Sequence, residues 1–254
     1  MEMHQVSPGV IAFVHPEGRS NCGMVQTTEG VVLVDTTARP VDIQAYLEAA
    51  GVSAADVCQI LLTHSHSDHT SGIPLFDCPV LAHKLTRQRI AKRGTDRARK
   101  QMPTEVFEDR RELEIGGVKL EVIHAGGHTA GSSVVWLPER AVLFAGDLIF
   151  EGRYPFLATA HVLNLMEALR WIPSFGAQVI VPGHGVLCGN EEVLDQLAYI
   201  ERTWARTVEH IALGHSAEEA VQDPEYPRCA ELGFERLHAW NIEVIYRQLR
   251  KQSV

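Results

Sequence analysis

Residues 61–72, LLTHSHSDHTSG, place three histidines and an aspartate within six positions, directly after an apolar run. His64, His66, Asp68 and His69 stand at i, i+2, i+4 and i+5. On a helix or a straight strand these side chains would point in different directions, so only an irregular turn can bring them together. Imidazole nitrogens and carboxylate oxygens are ligands for divalent metals. The segment therefore predicts a metal-binding loop.

Three distant residues have the same character, since each follows an apolar strand pattern and has glycine neighbours. His128 lies in HAGGHTAGS, Asp147 ends VLFAGD, and His184 lies in VPGHG. Glycine lets the backbone approach a crowded centre without a Cβ atom, and strand ends at one sheet edge are where α/β proteins place their sites. Five histidines and two aspartates are too many for one tetrahedral ion but suit two. A ligand set without thiolate favours Zn²⁺ and leaves Mn²⁺, Fe²⁺ and Co²⁺ open.

The HxHxDH motif and the GHT, AGD and PGHG segments, in this order, resemble the metallo-β-lactamase superfamily. They resemble most its binuclear hydrolase branch, which includes glyoxalase II-like thioesterases and lactonases. The resemblance covers roughly residues 5–190, and it implies a four-layer αβ/βα sandwich with two metals at one edge between the sheets. It also implies a ligand for every position: His64, His66 and His128 on the first metal, Asp68, His69 and His184 on the second, and Asp147 bridging both.

This resemblance implies a metal-dependent hydrolase, in which a hydroxide shared by two ions attacks a small carbonyl ester, thioester or lactone. Asp68 could also carry a proton to the leaving group. Because histidines bind metals only when neutral, activity should fall below about pH 6–6.5. Two alternatives stay open. One is a mononuclear-iron oxidoreductase resembling the persulfide dioxygenases, with iron on His64, His128 and Asp147; the other is a promiscuous β-lactamase.

Four residues outside the ligand set are candidates for supporting roles. Asp35 ends the strand VVLVD, where it could orient a metal ligand or simply cap a turn. Arg153 and Tyr154, in the loop after the bridging aspartate, are candidates for binding the substrate. His161 follows that loop and could line a pocket or lie on the surface at a helix start.

Residues 84–100 form a basic helical stretch with eight Lys and Arg residues and a single acidic residue, Asp96. Such a stretch is typical of a solvated helix face, and an anionic substrate or partner is the alternative.

The elements that must position these residues form an α/β body followed by helices. The apolar runs 31–35 and 56–63 flank a helix predicted to begin at Pro40 and to end at Gly51. This strand–helix–strand order is typical of a layered α/β arrangement.

The pattern becomes helical from Asn190, a predicted N-cap for a helix that ends before Gly214. Ser216 and Glu219 form a capping-box signature for a second helix, and a third is predicted from about Gly233 to Arg250. We therefore expect an α/β domain over residues 1–189 and a helical C-terminal extension over residues 190–254 packed on it.

Composition limits the partners and the compartment. The 254 residues carry a net charge of −9, which argues against a general binder of nucleic acids or anionic membranes. The five cysteines are scattered and form no CxxC pair, the N-terminus lacks a signal-peptide pattern, and no apolar stretch reaches the ~18 residues of a membrane span. We expect a cytoplasmic protein that acts on a small molecule, and the sequence leaves homo-oligomer formation open.

Overall fold

The computed structural model of this chain describes residues 2–229 and 235–252. Within these residues the strands form two sheets. The first sheet has seven strands, which lie in chain order: β1 (Glu2–Ser7), β2 (Val10–Val14), β3 (Cys22–Thr27), β4 (Gly30–Val34), β5 (Val57–Leu61), β6 (Val80–His83) and β7 (Glu105–Phe107). The second sheet has five strands in the order β12-β11-β10-β9-β8: β8 (Arg110–Ile115), β9 (Val118–His124), β10 (Ser133–Leu137), β11 (Val142–Phe150) and β12 (Val179–His184).

The helices of the described residues lie outside or at the edges of these sheets. They are α1 (Pro40–Ala49), α2 (Ser67–Thr70), α3 (Lys84–Ala91), α4 (Asp96–Lys100), α5 (Val162–Trp171), α6 (Asn190–Ala212), α7 (Ala217–Val221) and α8 (Glu235–Gln252). None of these helices is both long enough and apolar enough to cross a lipid bilayer.

Three apolar clusters hold the layers together. Strand residues such as Leu61 and Phe144 fill the space between the two sheets. Ile43 of α1 packs on the outer face of the first sheet, and Leu165 of α5 packs on the outer face of the second. The order of layers is therefore helix, sheet, sheet, helix, which confirms the predicted four-layer αβ/βα sandwich.

The β4–α1–β5 unit explains how two loops meet at one edge of the first sheet. β4 and β5 are the two predicted strands, they pair in parallel, and α1 connects them. Pro40 occupies the first turn of α1, where its missing N–H costs no hydrogen bond, and Gly51 follows the helix with a φ of +69°. Because both parallel strands end at the same edge, the residues after Val34 and Leu61 become neighbours.

Two boundaries differ from the sequence prediction. The strand predicted to end at Asp147 continues to Phe150, and its pairing with β12 shifts register on either side of Gly146, whose φ is +52°. A strand irregularity of this kind redirects the next side chain without ending the strand. The basic stretch forms two short helices instead of one, because Gly94 at a φ of +65° ends α3 and Thr95 caps α4.

The C-terminal helices follow the prediction closely. The N-cap of α6 is Gly189 and not Asn190, since the Gly189 N–H donates to the Glu192 carboxylate at 2.8 Å. The capping box of Ser216 and Glu219 at the start of α7 is confirmed. The predicted start of the third helix, at Gly233, lies outside the described residues.

Both α6 and α8 contribute to the apolar cluster on the second sheet, for example through Ile200 and Ile245. The division of the chain into one domain that ends at residue 189 and an extension that begins at residue 190 stays a prediction.

Candidate metal centre

The histidine-rich segment forms the irregular turn that its spacing predicts. His64 follows β5, and His66 is the extended N-cap residue of α2, with φ −65° and ψ 149°. Asp68 and His69 lie in the single turn of α2. Within these six residues the backbone passes from the end of a strand through a helix cap into a helical turn. These changes of direction let four side chains converge that would diverge on a regular helix or strand.

The three distant residues reach the same place from the second sheet. His128 lies in the loop between β9 and β10, Asp147 lies on β11, and His184 is the last residue of β12. Gly183 allows β12 to approach β11 here, because a Cβ atom at position 183 would overlap Asp147 Oδ1. The site thus lies at one edge of the sandwich, with residues from both sheets.

Asp147 lies between two groups of side chains whose ligand atoms all fall within 4.8 Å of one another in each group. In the first group, Asp147 Oδ2 is 3.5 Å from His64 Nε2 and 3.4 Å from His128 Nε2. His66 completes this group, with its Nδ1 atom 3.0 Å from His128 Nε2.

The second group uses the other oxygen of the same carboxylate. Asp147 Oδ1 is 3.0 Å from His69 Nε2 and 3.4 Å from His184 Nε2. Asp68 completes this group, with Oδ2 3.3 Å from His184 Nε2. The structure therefore brings together all seven residues of the predicted ligand set, in the two predicted groups.

The centre contains buried polar atoms that approach one another but make no hydrogen bond to any residue that the structure describes. Within the described residues, His64 Nε2, His69 Nε2 and Asp147 Oδ1 make no hydrogen bond, although all three are buried. Leaving a buried polar atom unsatisfied is costly, so such atoms indicate a ligand or a role in catalysis. Two nitrogens and a carboxylate oxygen converging in this way are a donor set that fits divalent cations.

The outward-facing ring nitrogens of four histidines contact oxygen atoms. Each Nδ1 is placed to donate, which leaves the Nε2 lone pair facing the centre. The pairs are His69 with Asp35 Oδ2 at 2.8 Å, His64 with Thr63 Oγ1 at 3.0 Å, His128 with Phe156 O at 3.2 Å and His184 with Gly18 O at 3.1 Å. His66 has the opposite orientation, and its Nε2 is 3.4 Å from Thr159 Oγ1.

Asp35 supports one histidine in each group. It accepts directly from His69, and it also accepts from the Thr63 hydroxyl at 2.7 Å and from the Thr63 N–H at 2.9 Å. Because the Thr63 hydroxyl proton points to Asp35, its oxygen can accept from His64 Nδ1. Asp35 occupies the left-handed region at φ +60°, so the turn after β4 aims this carboxylate inward.

The two groups differ in their electrostatics. In the first group burial dominates, so the pKa of His64 lies well below its usual value and the pKa of His128 falls to about 4. In the second group burial is outweighed by carboxylates: Asp147 and Asp35 hold the pKa of His69 well above its usual value, and Asp147 and Asp68 raise the pKa of His184 to about 9. For Asp147 too, burial opposes the charged form, but His69 and His184 hold its pKa well below its usual value.

A cavity of about 690 Å³ opens beside the centre, and Asp68, Asp147 and His184 form part of its wall. Of the predicted substrate-binding residues, Arg153 and Tyr154 line this cavity; the Arg153 guanidinium also donates to Gly18 O at 2.7 Å. Tyr154 is buried beside Tyr199 and His238.

His161 does not line this cavity. It is exposed, and its Nδ1 accepts from the Asn164 N–H at the start of α5. The roles of all three residues in substrate binding stay predictions.

Several cavity residues were not singled out from the sequence. Phe156 and Thr159 carry no recognisable motif, and only their place in the loop after β11 could have suggested them. Arg93 and Arg97 also line the cavity. The basic charge of residues 84–100 could have suggested these two arginines, but the sequence did not indicate which cations of that stretch face the cavity.

Comparison with known proteins agrees with this geometry. Residues 15–184 match the family model of the metallo-beta-lactamase superfamily, and the chain belongs to that superfamily. The Beta-lactamase-like protein 2 homolog of Caenorhabditis elegans is 29% identical over 248 residues, covering 92% of this chain and 80% of its own length. The acyl-coenzyme A thioesterase MBLAC2 of Bos taurus is 26% identical over 220 residues, covering 71% of this chain and 78% of its own.

Solved structures show the same fold. A metallo-beta-lactamase from Pontibacter korlensis aligns with a TM-score of 0.69 and 25% identity, over 79% of this chain and 98% of its own. A metallo-beta-lactamase family protein from Thermus thermophilus aligns with a TM-score of 0.71 over 97% of this chain and 94% of its own. Its identity of 22% makes it a likeness of fold alone.

Proposed function

We propose that this protein is a binuclear metal-dependent hydrolase that cleaves a small carbonyl ester, thioester or lactone. The observation that carries the proposal is the division of the Asp147 carboxylate, with Oδ2 facing one group of histidines and Oδ1 facing the other. A carboxylate held in this way suits a bridge between two cations. Zn²⁺ is the metal that a ligand set of histidine and aspartate without thiolate favours.

When bound, a pair of divalent ions supplies Lewis acidity, which lowers the pKa of water and polarises a carbonyl group. The protein supplies the geometry for hydrolysis. Asp68 belongs to the second group and lines the cavity with its side chain 35% exposed, so it can reach substrate and carry a proton to the departing oxygen or sulfur. Phe150 and Phe156 add apolar wall that can hold an acyl group.

The relatives support the thioester arm of this proposal. The Bos taurus relative is named an acyl-coenzyme A thioesterase. Hydrolysis of a thioester adds water across the acyl–sulfur bond and yields a carboxylate, a thiol and a proton, so it needs no oxidant.

A substrate panel combined with elemental analysis tests the proposal. Purified protein is stripped with a chelator, reloaded with one metal at a time, and offered a thioester, an aryl ester, a lactone and a β-lactam. We expect two divalent ions per chain and hydrolysis of at least one of the first three substrates. One iron per chain with consumption of dioxygen would overturn the proposal, and so would turnover of the β-lactam alone.

Replacing the shared carboxylate tests the bridging role. We expect Asp147→Asn to lower occupancy of both metals and to reduce kcat/KM by at least about 100-fold, because both groups lose the same charged ligand. Asp195→Asn, at an exposed position on α6, is the matched control. Two bound metals and full activity in the Asp147 variant would remove the bridging role.

A further inference from the structure

Two arginines of the basic stretch face the active-site cavity. Arg93, between α3 and α4, and Arg97, in α4, both line the cavity that Asp68 and Asp147 also line. Their known partners are neutral: Arg93 donates to the Ser65 carbonyl, and Arg97 donates to Ser71 Oγ at 2.6 Å. Neither guanidinium forms an ion pair with any residue of the described ranges. Two positively charged side chains in the cavity wall therefore have no carboxylate partner among the described residues.

Gln101, directly after α4, adds a polar group to the same wall. The residue lines the cavity and is only 1% exposed, yet its Nε2 makes no hydrogen bond within the described part of the chain. Gln101 therefore contributes a buried amide to the wall beside α4. Guanidinium groups from two residues in the wall of one cavity indicate a ligand that carries acceptor oxygens.

The local charges agree with this interpretation. Burial lowers the pKa of Arg93, and the neighbouring Arg89 and Arg97 lower it further, because the like charges stand close together. Asp68 is the acidic group that acts on Arg93, but its carboxylate also contacts His184 in the second metal group. An anion placed between the two guanidiniums would relieve their repulsion.

We propose that the substrate carries an anionic group, a carboxylate or a phosphate, which Arg93 and Arg97 bind while the scissile carbonyl lies at the metal groups. This inference rests on the proposed hydrolase function and names the class of substrate for the same site. The cavity also offers Phe150, Phe156 and Leu237 as apolar wall, so the substrate combines a charged end with an apolar portion. Guanidinium groups suit both anions because their donors match paired oxygens.

Three thioesters of similar size test the proposal. They are S-phenyl pentanethioate, its analogue with a terminal carboxylate on the acyl chain, and its analogue with a phosphate on the phenyl ring. We expect the metal-loaded protein to hydrolyse at least one charged thioester with a kcat/KM about 10-fold to 100-fold above that of the neutral one, as charged hydrogen bonds allow. The two charged substrates distinguish carboxylate from phosphate recognition.

The variant R93Q/R97Q should lose this preference, so that its ratio of kcat/KM for the charged thioester to kcat/KM for the neutral one falls to about 1. The control R87Q/K100Q removes the same amount of charge from the same stretch at exposed positions that do not line this cavity. It should keep the preference. Equal rates on charged and neutral thioesters in the wild type, or equal behaviour of the two double variants, would overturn the proposal.

A binding measurement separates this inference from the hydrolase function. If no thioester is cleaved, the proposed function fails for that substrate class. Calorimetry with glutarate and with inorganic phosphate then tests separately whether Arg93 and Arg97 bind an anion. Binding to the wild type and to R87Q/K100Q that is at least about 10-fold tighter than to R93Q/R97Q supports the anion site. Equal affinities, or no binding to any of the three proteins, overturn it.

Discussion

At the scale of single residues, Asp35 connects the two halves of the candidate centre. Its carboxylate contacts His69 directly and His64 through the Thr63 hydroxyl, so one buried side chain fixes the ring orientation of a histidine in each group. Groups of this kind hold the tautomer that a metal needs and raise the basicity of the ligand. The simpler alternative, a turn-capping aspartate, accounts for neither of these side-chain contacts.

We therefore expect Asp35→Asn to weaken binding of both metals by about 10-fold to 100-fold. Thr63→Val interrupts the path to His64 but leaves the His69 contact, so it should weaken one metal more than the other. Competition titrations with a chromophoric chelator measure both affinities. Asp42→Asn, which removes a buried carboxylate paired with Arg39, is the control and should leave both affinities unchanged. Identical metal binding in Asp35→Asn and the wild type would contradict the role of Asp35.

The sequence indicated which side chains cluster at the candidate centre better than it indicated the residues that support them. The clustered residues could be singled out because they stand in short motifs next to glycines and strand ends. The Asp35–Thr63 contact depends instead on the parallel pairing of β4 with β5, which brings residues 28 positions apart to hydrogen-bonding distance. No short sequence motif shows which residues of β4 and β5 lie opposite one another. Asp35 was a candidate from its place at a strand end, but its partners could not be named.

At the scale of elements, the close approach of β11 and β12 positions the bridging carboxylate. Gly183 lies within strand β12 and is not among the glycines with positive φ, so an alanine there tests packing and not backbone conformation. A methyl group at this position would overlap Asp147 Oδ1. The strand pair has room for the carboxylate only because residue 183 has no side chain.

We expect Gly183→Ala to displace Asp147, to lower metal occupancy and to reduce the free energy of unfolding by about 1–3 kcal/mol, as overpacked sites do. Elemental analysis and denaturant unfolding measure these effects. Gly189→Ala is the control for metal occupancy, since a Cβ atom there would meet only Glu192 Oε2 at an ordinary 3.7 Å. Full metal occupancy in Gly183→Ala would show that β11 and β12 can separate without disturbing the centre.

The basic stretch shows where element prediction is limited. The stretch was predicted as one helix but forms two, with Gly94 between them, and Arg93 and Arg97 on either side of Gly94 line the cavity. Side-chain direction changes by about 100° per helical residue, so an error of one residue in a boundary changes the set of inward-facing arginines. The positive charge of the stretch could be read from the sequence, but the directions of its side chains could not.

At the scale of the whole molecule, α8 is connected to the centre by one loop. Asn241 of α8 donates to Pro155 O at 2.8 Å and accepts from the Leu157 N–H at 3.3 Å. Between these two residues lies Phe156, whose carbonyl contacts His128 Nδ1. The C-terminal helix thus supports the loop after β11 beside the candidate centre and does more than cover the second sheet.

We expect Asn241→Ala to lower the free energy of unfolding by about 1–3 kcal/mol, because it leaves buried backbone groups of the loop without partners. It should also lower kcat/KM for the proposed hydrolysis, since this loop forms part of the cavity wall and contacts the candidate ligand His128. Glu243→Ala, at an exposed position on the same helix, is the control. Unchanged activity in a destabilised Asn241 variant would limit α8 to a structural role.

The junction of α6 and α8 makes stability depend on pH. His238 is buried and its Nδ1 accepts from the Tyr199 hydroxyl at 2.9 Å; burial, with Arg228 nearby, lowers the pKa of His238 to about 4. An unfolded histidine has a pKa of about 6.5. Between about pH 6.5 and pH 4 the unfolded chain therefore binds a proton that the folded chain does not, and stability falls as pH falls.

His238→Gln should flatten this dependence by up to about 1.4 kcal/mol per pH unit within that window and leave the slope above it unchanged. Denaturant unfolding at several pH values between 7.5 and 4.5 measures the slope for the variant and the wild type. His4→Gln, on β1, is the control and should keep the wild-type slope. Parallel curves for His238→Gln and the wild type would show that another group titrates in this range.

The contact between α8 and the loop after β11 also has a consequence for biosynthesis. All seven candidate ligands precede α8 in the chain, so a growing polypeptide contains the whole candidate set before Asn241 has been added. Domains fold as their residues emerge during synthesis. We therefore expect the loop that supports His128 to be fixed only after α8 has docked, and metal loading of the finished centre to follow completion of the helix.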